Sequence, residues 1–130
     1  MCLVNRISIN KLDAVAYKVM RKIKDSSGKI CYVPIFGASI EDIRKFYPYH
    51  TYNALSKLNG FCAFINPESA WSLFQNLYKS IFWNLRPDYC LQGPLVVVKV
   101  KLVHRLKTGN MLEYDYDCIQ GHFLTIMEYK

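Results

Sequence analysis

A chain of 130 residues, 52% of them hydrophobic, is a single globular domain able to bury its own core, which excludes a disordered tail or a mini-protein dependent on staples. Its formal charge of +7 favours acidic partners or nucleic acid, although the Lys and Arg residues form no arginine-rich tract, helix-turn-helix spacing or RNP-like motif. Five cysteines without CxxC spacing read as reduced thiols of an intracellular, non-secreted protein, and three histidines without HExxH or i,i+4 spacing predict no metal site.

Residues 1–13 are weakly patterned and fit a short strand or an N-terminal arm. Arg6 and Lys11 break any apolar run there, and the longest aliphatic stretch is Leu95 to Val98, so neither a signal peptide nor a membrane span is expected. From Ala16 to Lys24 the chain alternates. Tyr17, Val19, Arg21 and Ile23 share the face predicted to be buried, and Lys18, Met20, Lys22 and Lys24 share the solvent face, where the three lysines form a basic surface. Asp25-Ser26-Ser27-Gly28 is turn chemistry. A three-residue loop with Gly28 in the left-handed region sets Val19 against Ile35, Arg21 against Val33 and Ile23 against Cys31. Pro34 lacks an N–H and marks the second strand as an edge or a bulge.

Arg21 is out of place on an apolar face. It either reaches to the rim or pairs with a carboxylate, or it lines a pocket for an anionic group, and it is the first candidate for a ligand-binding residue. Ser39-Ile40-Glu41-Asp42 resembles a capping box and predicts a short helix ended by Pro48. The aromatic stretch Tyr47-Pro48-Tyr49-His50-Thr51-Tyr52 then reads as a loop in which Tyr47, Tyr49, His50 and Tyr52 are candidates for partner contact.

Gly60 to Ile65 is an apolar strand that ends at Asn66, a good N-cap, with Pro67 at the first helical position and Glu68 at the positive end of the helix. Ala70, Phe74, Leu77, Tyr78, Ile81 and Leu85 recur at helical spacing, widened by Trp71 and Phe82, and predict one long amphipathic helix over 67–85. Arg86 to Pro94 is a connection. Leu95 to Leu106 is a β-branched central strand with Val96, Val98, Val100, Leu102 and His104 on one face. A loop at Lys107-Thr108-Gly109 then sets Lys101 against Asp115 and Lys99 against Asp117, which makes the acidic row Glu113, Asp115, Asp117 a ladder of charge pairs. His104 ends the buried face at the rim, a structural position with a secondary candidacy for ligand contact. Gln120-Gly121 turns the chain into a last strand over 122–129.

The strand Ala16-Tyr17-Lys18-Val19-Met20-Arg21, the strand Gly60-Phe61-Cys62-Ala63-Phe64 leading into a helix, and the Val-rich strand from Leu95 together resemble a layout of small uncharacterised proteins of phages and large DNA viruses. This chain has Cys62 where those relatives often carry His. The same order is more distantly similar to the split sheet of ADP-ribosyltransferases. That likeness implies an NAD-holding role for Arg21, while the family's Ser-Thr-Ser and Glu-x-Glu segments have no counterpart here beyond Asp115 and Asp117.

These readings combine into an α+β domain, a mainly antiparallel sheet of β-hairpins packed on one long amphipathic helix, with a short helix beside it. The function they predict is a non-enzymatic viral or phage binding protein, a virion component or an inhibitor of a host factor, acting through a basic, aromatic-rich surface. A protein partner leads, nucleic acid follows from the charge, and no cofactor is implied. The alternatives are an NAD-binding transferase using Arg21 and a nucleic-acid-binding module.

Overall fold

The computed structural model describes residues 3–34, 45–54, 60–79, 95–111 and 114–127. Nine strands and one helix follow in order: β1 (Leu3–Ser8), β2 (Asp13–Lys24), β3 (Ile30–Pro34), β4 (Thr51–Asn53), β5 (Phe61–Phe64), α1 (Pro67–Lys79), β6 (Leu95–Val103), β7 (Lys107–Met111), β8 (Tyr114–Gly121) and β9 (Phe123–Met127). The strands form one sheet in the order β1-β7-β8-β5-β2-β6-β9-β4, and β3 pairs with β2 beside that path. Every pairing among the described residues is antiparallel.

The fold is therefore mostly antiparallel β, which corrects the α+β expectation and its long helix. α1 is described over Pro67–Lys79, and the short helix predicted from Ser39 falls outside the described residues. The missing strand content lay in segments that read as arm and loop. β1 occupies the weakly patterned N-terminal stretch, and β7 contains Lys107-Thr108-Gly109, the predicted turn. A Lys-Thr-Gly run has turn composition, but β7 hydrogen-bonds to β1 on one side and β8 on the other, and pairing on both edges overrides local preference.

The β2–β3 hairpin has the predicted register, with Arg21 opposite Val33 and Ile23 opposite Cys31. Asp25 N–H donates to the Lys29 carbonyl, Gly28 N–H donates to the Asp25 carbonyl, and Gly28 has φ +83°, so the loop is Ser26-Ser27-Gly28. β3 ends at Pro34, and its outer side meets an isolated bridge from Tyr32 to Phe46.

β2 and β6 pair over nine positions, from Asp13–Val103 to Arg21–Leu95, and bury both faces at their centre. Even-numbered residues Ala16, Met20, Val98, Val100 and Leu102 join Leu124, Ile126, Ile119, Tyr32 and Phe46 in the largest core cluster. Met20, expected on the solvent face, is thus a core residue, because the sheet folds over that side too. Odd-numbered Val19 and Val97 join Cys62, Phe64, Cys118 and the helix residues Ala70 and Leu73. Each such fully buried aliphatic side chain contributes about 1.5–3 kcal/mol of transfer free energy. A third cluster, Ile23, Cys31 and Val33, packs against Tyr47. Trp71, expected to widen the helix stripe, is exposed.

Candidate functional site

Successive strand residues point to opposite sides of a sheet, so register defines the site. On the odd-numbered side of β2 and β6, α1 covers the row of Val19 and Val97. Three further rows follow, the first bordering the helix-covered cluster through Tyr17. Tyr17, Lys99 and Met127 form the first; Val15, Lys101, Thr125 and Thr51 the second; Asp13, Val103, Phe123 and Asn53 the third. All eleven of these positions are half-buried or exposed, and Val15 is 46% exposed. The result is an open sheet face with two aromatic rings, two lysines and a partly apolar floor.

The third row ends at a basic, aromatic rim. Lys11 and the 89%-exposed Leu12 lead into Asp13, and exposed His104 and Arg105 follow Val103. His122 precedes Phe123. The His122 and Phe123 rings stand 5.1 Å apart, with the His104 ring 6.0 Å from Phe123 and 6.1 Å from His122. The His122 N–H donates to the His104 carbonyl over 3.0 Å and ties this corner together. His104 and Arg105 both have positive φ, 70° and 51°, where L side chains meet the following carbonyl at a cost of roughly 1–2 kcal/mol each. Backbone held in that region is concentrated at binding and catalytic sites.

This corner corrects the predicted strand Leu95–Leu106. β6 stops at Val103, and His104 leaves the alternation to lie exposed at the rim. The predicted ladder of Lys99 and Lys101 against Asp117 and Asp115 is absent as well. Lys99 lies between Tyr17 and Met127, Lys101 between Val15 and Thr125, and Asp117 opposite Asn110. Glu113 lies outside the described residues. Lys101 Nζ is 3.5 Å from Asp13 Oδ2 in an exposed ion pair, which an incoming anion can replace at little cost.

The aromatic loop has a mainly structural base. Tyr47 Oη donates to Asp25 Oδ2 over 2.8 Å, and the Tyr47 N–H donates to Tyr52 Oη over 2.8 Å. Tyr52 stacks edge-on against Phe46 at 4.7 Å, and Lys29 Nζ sits 5.2 Å from the centre of the Tyr47 ring. Ser27 Oγ–H and Tyr47 Oη–H, with the backbone N–H groups of Lys29 and Ser27, hold the Asp25 carboxyl well below the usual carboxylate range. The same bond to Asp25, with burial, pushes the Tyr47 phenol up to about 12. Burial also pushes the Cys31 thiol up. Tyr49, 66% exposed, and exposed His50 protrude from this base, and the Tyr49 N–H donates to the Ile126 carbonyl at the edge of β9. Tyr49 is thus attached to the same sheet edge that carries the open face.

Arg21 is half-buried opposite Val33 and Leu95, separated from the open rows by the helix-covered pair Val19–Val97. Lys18, Lys22 and Lys24 do not form one free surface. Lys18 Nζ donates to the Cys62 carbonyl over 2.9 Å, Lys22 is half-buried, and Lys24 is exposed at the hairpin end. Of the predicted site residues, only His104 and Tyr49 lie at the open face's margin. Sequence reading missed Val15, Tyr17, Lys99, Lys101 and Phe123 as a group; the signal was the Lys99–Lys101 alternation, assigned to the wrong neighbouring strand. Cys31, Cys62 and Cys118 are buried free thiols, and no group of three or more potential metal ligands occurs among the described residues. No described helix is long and apolar enough to cross a membrane.

No family model, curated protein or solved structure matches this chain.

Proposed function

We propose that this chain is a non-enzymatic binding protein that holds a macromolecule on the open face of β2, β6, β9 and β4. The observation that carries this reading is the placement of Tyr17, Lys99, Lys101, Val103 and Phe123 on one side of the sheet, where Tyr17 borders the cluster that α1 covers and the other four are not part of it. A face of mixed aromatic, apolar and cationic character suits a ligand with flat apolar groups and negative charge. The resemblance of the strand layout to phage and viral proteins favours a ligand in a virion or an infected host cell. The Arg21-centred transferase reading needs a pocket on the far side of the helix-covered row, and the open face makes no use of it.

The test is affinity capture from infected cells, with and without nuclease and high salt, comparing two doubly substituted proteins. Lys11→Glu with Lys101→Glu reverses two exposed charges at the face, and Lys24→Glu with Lys45→Glu reverses two exposed charges elsewhere. The first pair abolishes capture of the stoichiometric ligand and the second leaves it intact. Identical capture by both proteins overturns the reading.

A further inference from the structure

Resting on the open-face reading, we propose that the ligand is single-stranded nucleic acid, with bases stacked on Phe123 and Tyr17 and the intervening backbone crossing Lys101. The register supplies the geometry. Tyr17 is on β2 in the first row, Phe123 is on β9 in the third, and Lys101 is on β6 in the second, midway along the diagonal between them. Strand spacing and rise place the two aromatic positions about 17 Å apart. A strand laid along this diagonal has an aromatic position at each end and a cation in the middle.

The surroundings suit a polyanion. Lys99 neighbours Tyr17 in the first row, and Lys11 and Arg105 flank the Phe123 end. Asp13 is the acidic residue of the face, and it is already engaged with Lys101 at 3.5 Å, so phosphate binding exchanges one exposed anion for another. His104 and His122 extend the ring platform around Phe123, at 6.0 Å and 5.1 Å. Unpaired bases expose their π-faces to such rings, and base–aromatic stacking tolerates any sequence. A duplex hides those faces and offers only phosphates and the base edges in its grooves, so the two rings favour a single strand.

The experiment is fluorescence anisotropy of the purified full chain with labelled oligo(dT) and oligo(U) of about 12 nucleotides, a length in the range covered by one small domain, and with a duplex of equal length. Single strands bind more tightly than the duplex, and affinity falls as salt rises from about 50 to about 200 mM. Lys101→Glu weakens binding roughly tenfold and flattens the salt slope, whereas Lys24→Glu, the same charge change at the hairpin end, leaves both unchanged. Phe123→Ala weakens binding roughly tenfold and Phe123→Trp restores it, with thermal unfolding establishing that each variant is folded. Absence of oligonucleotide binding at the lowest salt, equal losses from Lys101→Glu and Lys24→Glu, or tighter binding of the duplex overturns the proposal. If oligonucleotides fail to bind but capture in infected cells still depends on Lys11 and Lys101, the open face stands and its ligand is an acidic protein.

Discussion

Asp25 gathers four hydrogen bonds on one carboxylate, from the Ser27 N–H and Oγ–H, the Lys29 N–H and the Tyr47 Oη–H. Three of these close the hairpin turn, and the fourth crosses to the aromatic loop. One side chain therefore joins two elements far apart in sequence. Because Asp25 titrates below its unfolded value, its contribution is fully present above the unfolded carboxylate range and is lost as pH falls through the folded value. Tyr47 has the opposite sign. Its pKa is raised to about 12, so its contribution is present below the unfolded tyrosine range and is lost as pH rises through about 12. Denaturant unfolding of the parent, Asp25→Asn, Tyr47→Phe and the double variant across pH measures this coupling. Both single variants lower the midpoint at neutral pH, the double variant loses less than the sum of the two, and the acid slope of the parent is reduced in Asp25→Asn. Additive losses would separate the loop from the turn. The turn half of this contact was legible, since Asp-Ser-Ser-Gly is turn chemistry with local partners. Tyr47 is 22 positions from Asp25, and no local rule links them.

At the level of elements, the register of β2–β3 was readable because loop length, Gly28 and two apolar faces all agree on one pairing. The segment after β6 had no such agreement. Its sequence offers Lys107-Thr108-Gly109 as a turn, while the chain leaves β6 through His104 and Arg105, two non-glycine residues at positive φ. Another close approach lies where β8 ends over β6. A Cβ added to Gly121 stands 2.8 Å from the Leu102 Cβ and 3.1 Å from Leu106 Cδ2, and one added to Gly60 falls on the carbonyl oxygen of Gly121. Gly121→Ala must move the central strand or β8 and destabilises by about 1–3 kcal/mol. Gly28→Ala meets open space and costs about 1 kcal/mol, for left-handed backbone alone. Urea unfolding distinguishes them, with the larger midpoint loss for Gly121→Ala. Equal losses would mean that the crossing of β8 and β6 is looser than its geometry.

Across the whole molecule, β2 and β6 do what the Val-rich sequence of Leu95–Val98 implied, burying side chains on both faces. The open face was less legible because it belongs to no segment. Its residues come from four strands, and their common side exists only once β6 is flanked by β2 and β9 instead of β8. The same topology sets a gradient of stability. β6 lies inside the sheet between β2 and β9, whereas among the described residues β4 is three residues long and pairs only with β9, and β1 pairs only with β7. Amides of Val19, Val98 and Val100 can exchange only when both core layers open, whereas those at the sheet ends need only local separation. Native-state hydrogen exchange should give the slowest, global rates at the β2–β6 pair, and faster rates in β1 and β4. The rows of the open face lie between these limits, on strands anchored in the core but with one side open to solvent. A bound single strand should therefore slow exchange most at Asn53 and Phe123, in the β4–β9 pair, and least at Val98, in the buried β2–β6 pair. Equal slowing at Val98 and Phe123 would mean that the ligand stabilises the molecule globally, without holding the rim where His104, Arg105 and Phe123 meet.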